Sequence, residues 1–196
     1  MLSVADYSLV RKNDCFFVEG TGTVPPCPLC GGDLRYRDRK PRIMKSEGGI
    51  KCWLKIRRFR CSRCQKLHSE LPDCLVPRMH YRTEVISGVL DGIVTENDSE
   101  SEDYPCVQTM HLWIRWFQMN LQRMEGYLRL LVSSFKRTAQ DTLYLKSSPL
   151  SLLRNMHPDW LEKVIRAICN SGGFLIPVSS WVYAPSSFLL SQETFV

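Results

Sequence analysis

The sequence lacks the signatures of the common enzyme classes. No Gly-rich phosphate loop, HExxH metalloprotease motif or GxSxG nucleophile motif occurs in its 196 residues. Its four histidines are scattered, and none has a visible nucleophile partner. The acids after residue 120 do not follow strand-like runs, as the metal-binding carboxylates of a nuclease domain would; they are Glu125, Asp141, Asp159, Glu162 and Glu193. We therefore expect a chain that is not an enzyme.

Long apolar runs are also missing. No stretch of about 18 uncharged apolar residues is present, so we expect no membrane span. The first residues, MLSVADYSLVRKND, have neither the basic start nor the apolar run of a signal peptide. We expect a cytoplasmic protein, nucleoid-associated if it binds DNA, in which thiols stay reduced. The nine cysteines are an odd number, which argues against a complete disulfide framework.

Four of the nine cysteines form two Cys-x-x-Cys pairs, Cys27 with Cys30 and Cys61 with Cys64. Two intervening residues let both sulfurs of a tight turn face one ion, and Zn²⁺ favours four tetrahedral thiolates in a structural site. Gly31 follows the first pair and permits the left-handed backbone of such a turn. The residue that follows the second pair is Gln65 instead of a glycine. The pattern predicts a Zn²⁺ site that is closed, and therefore structural rather than catalytic.

Other thiols and one imidazole lie close to these pairs in the sequence. Cys52, His68 and Cys74 belong to no second pair, so we expect core thiols and a surface imidazole. The alternative is that His68 replaces one of the four cysteines as a ligand. Cys15, Cys106 and Cys169 are predicted to be ordinary buried cysteines.

Positive charge is concentrated between the two cysteine pairs. Residues 35–63 hold twelve Lys and Arg and only two acids, a net charge of +10, so the rest of the chain carries −4 of the overall +6. Residues 34–37 and 50–60 favour strands, with a turn at Gly48–Gly49. A basic hairpin between two cysteine turns predicts a zinc ribbon. Its charge favours a polyanion as partner, and the alternative is a merely solvated hairpin.

Helical patterns follow the ribbon. One helix opens at Thr83, and an acidic run at residues 96–103 separates it from a second helix that opens at Pro105. Apolar residues of the second helix form a heptad seam: Met110, Ile114, Phe117, Leu121, Met124, Leu128, Leu131 and Phe135. The seam is typical of a homodimer interface or of packing within one chain, and Trp113 and Trp116 favour the latter because they widen the apolar face.

A last helix is predicted to start at Pro158–Asp159 and to stop at Gly172–Gly173, before an apolar tail without charge. The fold class is therefore α+β, a small zinc-ribbon β module followed by a mainly α-helical region. We divide the chain into residues 1–77, with the ribbon, 78–145, with the two helices, and 146–196, with the last helix and the tail.

The second helix carries a resemblance. Gln108-Thr109-Met110 and Arg115-Trp116 occupy places typical of the recognition helix in the helix-turn-helix of bacterial insertion-sequence transposases. The ribbon, followed by Leu71-Pro72-Asp73 and Val76-Pro77, resembles the zinc ribbons at the front of such transposases. Together, residues 25–145 resemble an uncharacterised bacterial family, domain of unknown function 6431.

The resemblance implies sequence-specific binding to double-stranded DNA, in mobile-element transposition or in transcription. Four residues of the second helix would approach base edges: Gln108, Thr109, His111 and Arg115. Gln108 suits adenine and Arg115 suits guanine. The hairpin would hold phosphates through Lys55, Arg57, Arg58 and Arg60. A transposase or recombinase would be a further partner.

Two alternatives stay open. Gln108 and Thr109 can simply cap the helix while Arg115 is a solvated surface charge. The whole chain can instead be a protein-interaction adaptor, in which the seam and tail bind partners and the zinc ribbon is purely structural.

Overall fold

A six-stranded mixed sheet and four helices make up the computed structural model, which describes residues 1–46, 49–100, 105–135 and 147–177. The strands are β1 (Leu2–Val4), β2 (Tyr7–Lys12), β3 (Cys15–Gly20), β4 (Leu34–Lys45), β5 (Lys51–Cys61) and β6 (Leu67–Pro72). The helices are α1 (Thr83–Leu90), α2 (Val107–Phe135), α3 (Pro149–Met156) and α4 (Trp160–Asn170), with a 3-10 helix at Glu96–Glu100. Among the described residues, no helix is both long and apolar enough to cross a membrane.

Strand β5 is the centre of the sheet. Along one edge it pairs antiparallel with β4 from Leu34↔Cys61 to Lys45↔Lys51. Its other edge is shared, because β3 pairs in parallel with residues 53–55 and β6 pairs antiparallel with residues 58–60. A gap therefore lies beside Arg57, between the ends of two strands that do not pair with each other.

The first arm of the predicted hairpin is three times longer than the sequence indicated. The prediction gave residues 34–37, whereas β4 continues to Lys45 through Pro41. Proline cannot donate to a sheet ladder, but among the described strands β4 pairs with β5 alone, so Pro41 is tolerated on an edge strand. The register shifts between Tyr36 and Asp38, which leaves Arg37 as the extra residue of a β-bulge.

Strand β6 was not predicted. Its inward positions include His68 and Glu70, both about 1% exposed, so polar residues occupy places where a strand pattern normally shows apolar ones. The short β1 and the exposed β2 were also missed. A small apolar cluster covers this part of the sheet: Val18, Met44, Leu54, Ile56, Leu71, Cys74 and Leu75.

All four helices contribute to a second, larger apolar cluster. Its buried members include Ile86 and Val89 of α1, Trp113 and Trp116 of α2, Leu150 of α3, and Trp160, Val164, Ile165 and Ile168 of α4. Helix α4 also contacts the sheet at β1, where Asn170 exchanges two hydrogen bonds with the backbone of Ser3. Arg166 of the same helix donates to Asp73 at 2.8 Å. The predicted segments 78–145 and 146–196 thus share one core.

The predicted heptad seam matches the buried face of α2 only in part, at Met110, Met124 and Leu128. Ile114 and Leu121 are 37% and 41% exposed, while Asn120, outside the seam, is completely buried. Asn120 bonds the backbone N–H and carbonyl of Ile176. The buried face instead follows Met110, Trp113, Trp116, Asn120, Met124 and Leu128. Two tryptophans three residues apart turn the buried face away from a strict heptad, and α2 packs within the chain.

The helix boundaries in the structure agree only in part with the predicted ones. Helix α2 begins at Val107 rather than Pro105 and continues unbroken past Gly126. Helix α4 begins after Asp159 and ends before Gly172, whose φ is +79°, so its predicted start and stop are confirmed. Gly48 of the predicted turn, residues 101–104 of the acidic run, and the tail from residue 178 lie outside the described residues.

Candidate metal centre and basic surface

The two cysteine pairs form turns with the same hydrogen bonds. In the first, Gly31 N–H donates to the Cys27 carbonyl and Cys27 N–H donates to the Gly32 carbonyl, each at 2.8 Å. In the second, Gln65 N–H donates to the Cys61 carbonyl at 3.2 Å and Cys61 N–H donates to the Lys66 carbonyl at 3.0 Å. Both turns place the residue after their second cysteine in the left-handed region, Gly31 at φ +70° and Gln65 at φ +60°. The second turn therefore adopts the conformation that glycine favours without having one.

These turns bring four sulfurs together. The Sγ atoms of Cys27, Cys30, Cys61 and Cys64 all lie within 4.8 Å of one another. The Cys30–Cys61 distance is 3.5 Å and the Cys27–Cys64 distance is 3.7 Å. A tetrahedron with metal–sulfur bonds of about 2.3 Å has edges of about 3.8 Å. The four predicted ligands thus form a cluster of the size needed to hold one metal ion.

Backbone N–H groups point at one of the sulfurs. The N–H groups of Arg63 and Cys64 each lie 3.4 Å from Cys61 Sγ. Chiefly through the Cys64 N–H, the pKa of the Cys61 thiol is lowered to about 6. Thiolates are the form that binds metal, so these N–H groups favour the ligand state of Cys61, whereas burial and the neighbouring thiols raise the pKa of Cys64.

His68 was expected at the surface, and this prediction was wrong. The ring is 1% exposed, and its Nε2 lies 3.3 Å from Cys27 Sγ. With the proton on Nε2, the imidazole donates to the sulfur, and burial holds the pKa of His68 below its usual range. The ring therefore lies beside the sulfur cluster as a hydrogen-bond partner of one ligand. Its position in β6, with an inward-facing His and Glu at period two, is the signal that sequence reasoning missed.

The remaining cysteines lie elsewhere. Cys74 accepts a hydrogen bond from Tyr7 Oη at 3.2 Å and is buried, as is Cys169. Cys15 and Cys52 are half-buried. Cys106 is exposed, contrary to the prediction, because it precedes the first turn of α2 and interacts with Thr109.

Arg57 fills the gap between β3 and β6. Its Nε and Nη2 donate to both oxygens of Glu70, at 2.6 and 2.8 Å, and the two side chains are 17% and 2% exposed. Glu70 raises the pKa of Arg57 through this hydrogen bond. Gly20 leaves room for the guanidinium, because a Cβ there would collide with it. The ion pair joins β5 to β6 where β3 ends.

Two more arginines of the hairpin have acidic partners. Arg39 donates to Glu19 at 2.6 Å and to the carbonyls of Val18 and Lys55. Arg58 forms a bidentate pair with Asp38, which lowers the pKa of that carboxyl. We call Arg39, Arg57 and Arg58 the paired arginines.

Three arginines at the cysteine end of the hairpin differ. Arg35 and Arg60 face each other across the β4–β5 ladder, and Arg37 lies between them and Asp38. Within the described residues, no carboxylate lies within 4 Å of Arg35 or Arg60, and Arg37 reaches Asp38 only at 3.8 Å. All three are exposed. We call Arg35, Arg37 and Arg60 the open arginines. Lys55 is half-buried, also without a carboxylate at that distance in the described part of the chain.

The predicted base-reading residues lie in the first turns of α2. Gln108, His111 and Arg115 are exposed and Thr109 is half-buried. His111 Nε2 lies 2.5 Å from Glu96, so the start of the acidic run folds back against this surface. Helices α1 and α2 pack together, but residues 91–106 separate them, far more than the three or four residues of an ordinary helix-turn-helix. The helix-turn-helix stays a prediction.

The comparison with protein families reaches the same part of the chain. Residues 27–113 match the family model described as Domain of unknown function (DUF6431). That part of the chain is similar to this domain family. The matched segment starts at the first cysteine ligand, contains the hairpin and α1, and ends within α2. No curated protein and no solved structure matches the chain. The resemblance to an uncharacterised domain family is confirmed, whereas a bacterial origin and a relation to transposases stay predictions.

Proposed function

We propose that this chain is a non-catalytic zinc protein that binds double-stranded DNA through the open arginines. The observation that carries the proposal is their arrangement: three exposed guanidiniums beside the four-cysteine site, two of them opposed in register. Like charges opposite each other destabilise a sheet, whereas phosphates between them would turn the repulsion into attraction. Four thiolates are the donor set that Zn²⁺ prefers in structural sites.

The proposed zinc ion has a structural role. Four cysteines fill the tetrahedral positions, so none remains for water or substrate. Neither apolar cluster contains any of the four cysteines or any of the residues inside the two Cys-x-x-Cys turns, which are Pro28, Leu29, Ser62 and Arg63. Metal coordination would therefore supply the cohesion that apolar packing does not supply at this end of the sheet.

The paired arginines are not assigned to phosphate binding, because each already has an acidic partner. Arg57 is committed to Glu70 and Arg58 to Asp38, so their charges are balanced before any DNA approaches. Phosphate contact is therefore assigned to Arg60, Arg35 and Arg37, with Lys55 as a further contact. Once the hairpin has bound phosphates, the first turns of α2 would read the bases, through Gln108, Thr109, His111 and Arg115. The context would be transposition or transcription in the nucleoid.

A duplex-selection experiment tests the proposal. The full chain, loaded with Zn²⁺, is incubated with random duplexes, and the bound fraction is sequenced while affinity is measured over a salt series. We expect an enriched sequence and an affinity that falls as salt rises, by a slope of about 0.9 for each phosphate contacted. An unchanged affinity across salt, with no enrichment, would contradict it.

A matched pair of variants localises the contact. Arg60→Gln removes one open arginine, and Arg11→Gln makes the same charge change on the exposed outer strand β2. Arg57 is unsuitable for this purpose because its replacement would disturb the buried pair with Glu70. We expect Arg60→Gln to lower both the affinity for duplex DNA and the salt slope, and Arg11→Gln to change neither.

A second candidate function is a protein-interaction adaptor. It is favoured by five exposed apolar side chains in the described part of α2: Leu112, Ile114, Met119, Leu121 and Leu130. In that case substitution of Ile114 and Leu121 by Ser would abolish partner capture, and Arg60→Gln would have no effect on it. Under the leading proposal the Ser variants bind duplex DNA as the parent does.

A further inference from the structure

A cavity lies between the helices and the loop that joins β6 to α1. Its volume is about 700 Å³, within the range of roughly 300–1,000 Å³ that is usual for small-ligand sites. Its walls include Trp113 and Trp116 of α2, Ile165 and Ile168 of α4, and the segments 76–81 and 173–177. None of the four clustered cysteines and none of the open arginines lines it, so the cavity is separate from the site described above.

Specific hydrogen bonds hold the two irregular walls in place. Arg42 of β4 donates through Nη2 to the carbonyl of Val76 at 3.3 Å and to the carbonyl of Met79. The other segment is held by the buried Asn120, which exchanges two hydrogen bonds with the backbone of Ile176. The fold therefore fixes both walls, and a ligand would find the cavity already formed.

The lining is mainly apolar and includes no acid from the described part of the chain. Besides the two tryptophans and the two isoleucines, Val76, Met79, Leu112 and Leu175 contribute apolar side chains. Removal of such surface from water is favourable, so a ligand with an apolar body would gain free energy by filling the cavity.

A lysine is tied to the aromatic wall by direct contacts. Lys45 Nζ lies 4.8 Å from the centre of the Tyr81 ring, and Tyr81 makes an edge contact with Trp113 at a centroid distance of 5.1 Å. All three residues line the cavity, as does the exposed Arg78. Among the described residues, no carboxylate lies within 4 Å of Lys45 or Arg78. The cavity thus combines an apolar body with positive charge that no acid of its lining balances.

We propose that this cavity binds a monocarboxylate with an apolar tail, of the size of a medium-chain fatty acid, with its carboxylate on Lys45 and its tail against Trp113. Charge complementarity selects the anionic head, because the lining has a lysine and an arginine but no described acid. The apolar walls select the tail. Thr109 also lines the cavity, so the site adjoins the residues predicted to read bases, but its occupancy does not depend on DNA binding.

Isothermal titration calorimetry on the zinc-loaded full chain tests the proposal with three probes. Sodium decanoate has the proposed head and tail, sodium hexanoate shortens the tail, and decyltrimethylammonium reverses the charge of the head. We expect one decanoate to bind per chain and decyltrimethylammonium not to bind. Hexanoate should bind at least tenfold more weakly, because each buried methylene contributes a gain in affinity of about fourfold.

Lys45→Met and Lys51→Met form a matched pair of variants. The two lysines face each other in the β4–β5 ladder, but Lys51 is not part of the described cavity lining. We expect Lys45→Met to weaken decanoate binding about tenfold, through the loss of a charge-assisted hydrogen bond, and Lys51→Met to bind as the parent. Metal content and thermal melting verify that the variants fold. Arg78→Gln repeats the charge test at an exposed position, where we expect a loss of about threefold.

Three results would overturn the inference. They are no decanoate binding by the parent, equal binding of decanoate and decyltrimethylammonium, and an unchanged affinity for decanoate in Lys45→Met. If Lys45→Met does not fold, an unchanged affinity in Arg78→Gln overturns the inference in its place. No arm of the experiment contains DNA, so each of these results leaves the proposed function standing.

Discussion

Two sets of arginines on one hairpin behave differently. The paired arginines each meet a carboxylate: Arg57 contacts Glu70, Arg39 contacts Glu19 and Arg58 contacts Asp38. The open arginines lie a few residues away on the same two strands, and two of them oppose each other instead. Residue type and local sequence are nearly the same in both sets, so the neighbouring strands make the difference.

The two sets therefore have different roles: the paired arginines stabilise the fold, and the open arginines are the ones we assign to binding. The paired arginines satisfy buried or half-buried acids that come from β3, β4 and β6, and they hold the sheet together around the gap beside Arg57. Of the open arginines, Arg35 and Arg60 add repulsion to the fold, and no carboxylate of the described residues lies within 4 Å of either, whereas Arg37 reaches Asp38 only at 3.8 Å. A cost to the fold that an anionic ligand would relieve is the pattern expected of a binding site.

Loss of the metal should have the largest effect, because it removes the support of both sets. Cys61→Ser takes away the thiolate that two backbone N–H groups stabilise. Structural zinc contributes on the order of 10 kcal/mol to folding in small domains, so we expect loss of bound metal, a collapsed melting transition and no DNA binding. Metal analysis and circular dichroism measure this. The control, Cys106→Ser, changes an exposed thiol away from the site and should retain one equivalent of metal.

Glu70→Gln should have the next largest effect, on stability. It leaves the Arg57 charge without its partner in a site where Glu70 is 2% exposed. Breaking a buried ion pair costs about 3 kcal/mol, which urea denaturation would report as a lower midpoint. Asp38→Asn is the matched control, because it breaks a more exposed pair, with side chains 26% and 38% exposed, and it should cost clearly less. Equal losses for both variants would remove the distinction between buried and exposed pairs.

The two cysteine turns allow a smaller test. Gln65→Gly should stabilise the chain by up to about 1 kcal/mol, because it removes a left-handed non-glycine residue and only partly offsets this through greater freedom of the unfolded chain. Gly31→Ala should destabilise by a similar amount. Opposite signs in thermal melting would support the equivalence of the turns, and a loss in both would contradict it.

The smallest effect on stability is expected at the open arginines. Arg60→Gln removes the repulsion with Arg35, so the free energy of unfolding should rise by about 0.2–1 kcal/mol. DNA affinity should fall in the same variant. A variant that is more stable but binds less tightly would sharpen the contrast with Glu70→Gln. A destabilised Arg60→Gln would assign Arg60 to the paired set.

The cluster of four cysteines could be predicted from sequence because the chemistry is local. Two residues between cysteines specify a turn, and the turn aims both sulfurs wherever it occurs. The division of the arginines could not be predicted, because it depends on which strand lies beside β5. Glu70 reaches Arg57 only because β6 lies beside β5. Strand β6 was not predicted, since the polar His68 and Glu70 occupy its buried positions.

The helices show the same limit. Helix α4 was predicted well because its apolar residues, Trp160 to Ile168, follow one face between clear start and stop signals. The buried face of α2 was predicted less well, since a heptad count treats every apolar residue alike. The wide Trp113 and Trp116 side chains and the Asn120 contact with Ile176 decided which face was buried.

The salt dependence of duplex binding tests the central claim most directly. The slope of log affinity against log salt would be measured for the parent and for Arg35→Gln/Arg60→Gln, each with full metal content. Loss of two phosphate contacts should make the slope shallower by about 1.8 and weaken binding, with the fold intact. Identical slopes for the two proteins would contradict the assignment of phosphate binding to the open arginines.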